Sequence, residues 1–124
     1  MRKKVLIIED KYYEVKVSFD YVNALHMNNE LDIKVADRSQ VIPFDIIESY
    51  DYVFVDIKLG KNSNLDGYDI LLKLEHEYPN VKNVIILTGN NKILDNLKLK
   101  GIERDYRVLI KPIDFSELVK VFTE

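Results

Sequence analysis

The sequence predicts an α/β fold, a doubly wound sheet of five parallel strands with helices on both faces. Two observations carry that expectation. Four short apolar runs, Val5–Ile8, Tyr52–Val55, Val84–Leu87 and Val108–Ile110, are each flanked by polar or turn residues, as buried strands are. Between them lie stretches whose apolar residues recur at helical spacing. Continuous apolar strands alternating with helices fit a parallel sheet covered on both sides, because right-handed crossovers place helices on each face.

Taken in order, the basic start Met-Arg-Lys-Lys leads into the first run. It has the look of a signal peptide only until Glu9 and Asp10 end the run after four residues, so it reads as a first strand. Val15, Phe19, Val22 and Leu25 then mark the inward face of a first helix. Asp32–Ala36 alternates Ile33 and Val35 with polar neighbours, the pattern of a strand at the sheet edge. A helix is expected from near Ser39, interrupted or started late by Pro43. Tyr68, Leu71 and Leu72 mark another helix, with Glu75 on its solvated side. A further one begins near Asn90, turns Ile93, Leu94 and Leu97 inward, and stops at Gly101. The last starts from Asp114 as N-cap, with Glu117 placed for a capping box, and buries Phe115, Leu118, Val119 and Phe122.

With 124 residues and neither repeat nor linker, the chain is expected to be one domain spanning residues 1–124. Hydrophobic residues make up 47% and charged residues 31%, and no apolar run reaches the roughly 20 residues of a membrane span. Membrane insertion is therefore not expected. No cysteine is present, which excludes disulfides and thiolate metal sites and makes the cytoplasm the default location. A formal charge of −3 offers no basic excess for phosphate-backbone contacts, which argues against direct nucleic-acid binding.

In open parallel sheets, ligands bind beyond the carboxyl ends of the strands. The predicted strand exits carry Glu9-Asp10, Asp56, Thr88-Gly89 and Lys111-Pro112. Three carboxylates gathered on one rim would repel one another without a cation, and Mg²⁺ suits an all-oxygen site of this kind. Asp56 can then act as a nucleophile toward phosphorus, with Mg²⁺ and Lys111 neutralising the transferring oxygens and Thr88 donating a hydrogen bond to the product. Singly, each pair has an ordinary structural role, as a helix first turn or a loop pair. Four of them in chain order, each ending an apolar strand, point jointly to chemistry.

This set, the acidic pair, the strand-ending Asp, the Thr followed by a small residue, and Lys-Pro, resembles the signature of the bacterial response-regulator receiver domains. The resemblance covers essentially the whole chain. It implies a flavodoxin-like fold with strand order 2-1-3-4-5. It also implies that Asp10 ligates Mg²⁺ directly and Glu9 through water, and that Asp56 is both ligand and phosphorylation site. It further implies that the backbone carbonyl of Lys58 is another ligand and that Thr88 and Lys111 bind the phosphoryl group. By the same resemblance Lys111-Pro112 is a cis peptide, Gly89 keeps the approach open, and Asp66-Gly67 opens a helix. The implied partners are a sensor histidine kinase or phosphotransfer protein and a downstream protein target. The implied chemistry is self-catalysed phosphoryl acceptance and autodephosphorylation, not turnover of a separate substrate.

Three features depart from the family pattern. The ten positions from Asp56 to Asp66 make a loop about three residues longer than usual, expected to be more mobile, with Gly60 where a proline is common. Val108 stands where the family has its switch aromatic, and Tyr106, two residues earlier on the same strand face, is at most a displaced substitute. The last helix is short. Tyr12 and Tyr13 lie close enough to the acidic pair for one of them to border the site, whereas His26 and His76 read as surface residues.

Three rival functions fit the sequence less well. A phosphorylation-independent receiver-like interaction module would have lost Asp56, Asp10 or Lys111, and all three are present. An Asp-nucleophile phosphohydrolase often carries a second Asp two residues on, where this chain has Lys58. A flavin carrier of the same topology would need hydroxyl and glycine donors where Glu9-Asp10 would repel a phosphate.

Overall fold

The apolar runs pair side by side in the computed structural model, which describes residues 2–89 and 92–124. The strands are β1 (Lys3–Ile8), β2 (Leu31–Ala36), β3 (Tyr52–Asp56), β4 (Val84–Thr88) and β5 (Arg107–Ile110), in the order β2-β1-β3-β4-β5. All four pairings are parallel, with Ile7 opposite Val35 and Phe54, Val55 opposite Ile86, and Thr88 opposite Ile110. The winding direction changes at β1 and β3, so the crevice for a ligand opens at their carboxyl ends. The fold class and strand order match the expectation, and β2 lies at the sheet edge as its alternating pattern required.

Alternation along the strands divides the core in two. Val5, Ile7, Phe54, Ile85, Leu87 and Leu109 face α1 (Lys16–His26) and α4 (Phe115–Thr123), where Phe19 meets Phe54 edge-on with ring centroids 5.0 Å apart. Leu6, Ile8, Val53, Val55 and Ile86 face the opposite way, toward α2 (Gly67–Glu77) and α3 (Ile93–Leu99). Because every central strand is buried on both sides, the backbone beyond their ends is held by packing that the site residues do not supply.

Several local expectations fail for identifiable reasons. Leu25 and Leu94 are exposed. At 100° per residue, Leu25 stands roughly 90° round α1 from Val15, Phe19 and Val22, and Leu94 about 80° from the midpoint of Ile93 and Leu97. In α4 the buried arc is Leu118, Val121 and Phe122, so Phe115 turns outward to stack on Tyr21 at 4.4 Å and Val119 is only half-buried. Asp114 caps α4 through the Ser116 N–H and hydroxyl, leaving Glu117 out of a capping box. The complete capping box is instead at α2, between Asp66 and Asp69. The expected start of a helix near Asn90 lies outside the described residues.

The largest difference is the crossover between β2 and β3. The helix expected from Ser39 is replaced by two 3₁₀ turns, Ser39–Val41 and Phe44–Ser49, on either side of Pro43. Pro43 cannot donate to a continuing helix, and Ser39 spends its polar groups elsewhere. Its N–H donates to Ser63 Oγ at 2.9 Å, and its Oγ accepts from the Leu65 N–H at 3.0 Å. Ile42, Ile47 and Tyr50 still reach the core from these turns.

At the start of α2, Gly67 donates its N–H to the Ile57 carbonyl at 3.0 Å, and a Cβ at this position would overlap the Asp56 carbonyl oxygen and Ile57 Cα. These are backbone atoms that cannot swing aside. Gly67→Ala is therefore expected to destabilise the fold by about 3 kcal/mol through overpacking. Urea unfolding should show the midpoint fall, and an unchanged midpoint would mean that α2 slides freely along β3.

Candidate functional site

Each strand exit delivers its residue to one rim. Glu9 and Asp56, directly after the apolar parts of β1 and β3, are buried, as is Thr88 at the end of β4, whereas Asp10 is half-buried. Lys111 follows β5, with its N–H donating to the Thr88 carbonyl at 2.8 Å, and its bond to Pro112 is cis as expected. All four expected elements come together. They border a cleft of about 800 Å³ whose lining includes Asp10, Asp56, Lys58, Gly60, Gly89 and Lys111.

The electrostatics are unbalanced. One ligand oxygen from each of Glu9, Asp10 and Asp56 lies within 4.8 Å of the others. Lys111 Nζ donates to Glu9 Oε1 at 2.8 Å and to Asp56 Oδ1 at 3.4 Å, bridging two of the three carboxyl groups. Asp56 Oδ1 also accepts from the Lys58 N–H at 3.3 Å. Burial, and next the hydrogen bond with Asp56, push the Glu9 carboxyl up to about 7. Burial also works against the charge on Lys111, but the Glu9 hydrogen bond and the Asp56 and Glu9 charges outweigh it and raise its pKa.

Among the described residues, the buried Glu9 Oε2 has no hydrogen-bond partner. A buried carboxylate oxygen in that position costs stability unless something completes its coordination. An oxygen-only donor set, excess negative charge and an orphaned oxygen together fit a hard divalent cation. The cluster could hold a metal.

The long loop after Asp56 is clamped, where its length predicted mobility. Besides the two Ser39 bonds, Gln40 Nε2 donates to the Asn62 carbonyl at 2.8 Å, Gln40 Oε1 accepts from the Asn64 N–H at 2.9 Å, and Ser63 Oγ donates to the Leu65 carbonyl at 2.6 Å. The loop thereby passes close to the acidic pair, with Gly60 beside Asp10. Nothing in the sequence flagged Ser39, Gln40 or Ser63. Their partners lie 22 to 26 residues away, and the loop's extra length and the missing proline at Gly60 point to a departure without revealing its path.

The aromatic candidates lie elsewhere. Tyr106 sits at the amino end of β5, roughly 13 Å along the sheet from the level of Thr88. Its hydroxyl donates to Glu75 Oε1 at 2.9 Å, and burial, then that carboxylate, hold its pKa well above the usual range. Glu75, expected to be merely solvated, thus fastens the end of α2 to the foot of β5. Val108 packs against the core, as does Tyr106. Tyr12 packs on the core near Phe19 and Tyr13 is exposed, and neither lines the cleft. His26 and His76 are exposed.

No protein-family model matches the sequence, and no curated protein matches it. Solved structures do match. A response regulator receiver domain protein from Clostridium thermocellum is 28% identical with a TM-score of 0.70, the match covering 98% of this chain and 91% of that one. Over nearly its whole length the chain has the fold of the response-regulator receiver domains. Two further receivers share the fold. The signal receiver domain of an HD domain-containing protein from Pseudomonas fluorescens gives 23% identity and a TM-score of 0.70 over 99% of this chain and 93% of that one. The receiver domain of NtrX from Brucella abortus gives 21% and 0.71 over 96% and 94%. As a receiver, the chain has the fold of a phosphoacceptor signalling domain. Among the described residues, no helix is long and apolar enough to cross a membrane.

Glu9 binds its proton more tightly in the folded chain than in the unfolded one. Between pH 4.5 and about 7 the folded state therefore holds more protons, and its contribution to stability, full below pH 4.5, is lost as the pH rises through about 7. For the protein in EDTA, urea midpoints measured across this window should fall more steeply in wild type than in Glu9→Gln. Equal slopes would remove Glu9 as the titrating group.

Proposed function

We propose that this receiver is the phosphoacceptor of a His-to-Asp phosphorelay, taking a phosphoryl group onto Asp56 in a Mg²⁺-dependent reaction. The observation that carries the reading is the convergence of Glu9, Asp10 and Asp56 within 4.8 Å under one bridging lysine. Asp10 and Asp56 are the direct ligands, Glu9 acts through water, and the Lys58 carbonyl completes the protein's share. When bound, Mg²⁺ supplies positive charge that offsets the carboxylates and the oxygens of the transferring group.

The chain's own residues do the rest. A carboxylate oxygen of Asp56 attacks phosphorus, the bond from phosphorus to the donor's imidazole nitrogen breaks, and the donor leaves with the electron pair. Lys111 turns its ammonium toward the phosphoryl oxygens, and the Thr88 hydroxyl donates to the same group. Among the described residues beyond its chain neighbours, an added Cβ at Gly89 would meet nothing within 4 Å, consistent with an open path for the donor. Water later hydrolyses the acyl phosphate, so the domain acts on itself and is not an enzyme for a separate substrate. The partners are a sensor histidine kinase or phosphotransfer protein and a downstream protein target, in the cytoplasm. Because Val108 has too few rotamers and too little volume to act as a switch, and Tyr106 is tied to Glu75, the signal travels through Thr88, Lys111 and the chain that follows Thr88.

Incubation with acetyl phosphate is expected to add one phosphoryl mass to the intact protein with Mg²⁺ and none in EDTA. Asp56→Asn should gain nothing. A gain that persists in that variant would exclude Asp56 as the acceptor, and no gain in wild type would favour a phosphorylation-independent interaction module. Lys111→Ala should retain Mg²⁺ binding yet lose the spectral change that beryllofluoride produces in wild-type NMR spectra. A full response in this variant would contradict the role given to the lysine.

A further inference from the structure

Glycine is required in a chain for two physical reasons, a left-handed backbone or a neighbour that leaves no room for a Cβ. Gly60 does not have the first, since the only glycine with positive φ among the described residues is Gly101. For the second, among the described residues beyond its two chain neighbours, a Cβ at Gly60 would meet only the side chain of Asp10 within 4 Å, at 2.8 Å from Oδ2 and 3.8 Å from Cγ. The space that glycine leaves is therefore space for one carboxylate.

The loop that carries Gly60 cannot easily give way. Its carbonyl accepts from the Ser63 N–H at 3.0 Å, and Ser63 is tied through its hydroxyl to Ser39 and to the Leu65 carbonyl. Leu65 in turn donates to Ser39 Oγ at 3.0 Å. Against this fixed strand of backbone stands a side chain that can rotate. An added methyl would thus displace Asp10 and leave the loop in place.

We propose that Gly60 is a positioning residue for Asp10: the clamped loop is a backstop that holds the carboxylate in the orientation a small cation needs, and thereby sets ion preference. The inference rests on the reading of Asp10 as a direct Mg²⁺ ligand. Mg²⁺ demands near-ideal octahedral geometry, whereas Ca²⁺ accepts more ligands at varied angles. Rotating Asp10 therefore weakens Mg²⁺ more than Ca²⁺.

The test is calorimetric titration of wild type and Gly60→Ala with MgCl₂ and, separately, CaCl₂, with thermal melts of both proteins in EDTA. The expected result is a melting temperature equal to or slightly above that of wild type, because alanine restricts the unfolded chain. The Mg²⁺ dissociation constant should rise about tenfold, the scale on which supporting residues affect metal affinity, and the Ca²⁺ constant by less. Unchanged Mg²⁺ affinity in Gly60→Ala, or equal weakening for both ions, overturns the proposal. So does a clearly lower melting temperature in EDTA, which would show that the loop yielded and not Asp10. If wild type itself binds no Mg²⁺, the ligand reading falls and the positioning role falls with it. That outcome is distinguished from the others by the wild-type titration alone.

Discussion

The ammonium of Lys111, set between the buried carboxyl groups of Glu9 and Asp56, is the interaction on which this fold's working end depends. The sheet drives both acids out of water because each follows a strand that is apolar to its last residues. Isolated charges in that position would be prohibitively costly. Lys111 offsets part of the charge from the far side of the sheet, reaching across 102 positions of sequence to Glu9. It does not offset all of it. The imbalance left over, expressed in the displaced titration of Glu9 and its unsatisfied oxygen, is one that a bound cation could relieve.

The carboxyl groups keep this arrangement only if the rim is stiff. The stiffness comes from the packing of α1 and α4 on one face and α2 and α3 on the other, which fixes the strand ends without calling on polar contacts. On the β2 side, where a helix is replaced by two short 3₁₀ turns, polar bonds take over. The Ser39 and Gln40 groups that are freed from helix formation secure the loop after Asp56. A missing helix and an extended loop, which look like two independent irregularities, compensate each other's unpaired backbone groups.

Much of this was legible before any coordinates. The four buried strands, the edge strand, the order of the exits and the convergence of Glu9, Asp10, Asp56, Thr88 and Lys111 all follow from apolar runs and what comes directly after them. Such signals are local, and a parallel sheet converts them reliably into a shared rim. What the sequence concealed was rotation and distance. Leu25 and Leu94 read as inward in sequence because they stand i+3 and i+1 from true core positions, although each lies about a quarter-turn away on the helix. Ser39, Gln40, Ser63 and the Tyr106–Glu75 pair were invisible because their meaning lies in partners 22 to 31 residues away. Pro43 was noticed as a helix interruption. Its consequence, that no α-helix forms at all, depended on the loop that competes for the same donors.

The clamp between the 3₁₀ turn at Ser39 and the loop at Asn62–Leu65 also governs how changes in the two segments combine. Ser39 is buried, so removing the Ser63 hydroxyl leaves its amide to bear a desolvation cost, whereas the exposed Gln40 side chain can turn to water. Substitutions on the two sides of the clamp share partners and are therefore coupled in energy: once one side is lost, changing the other costs little more.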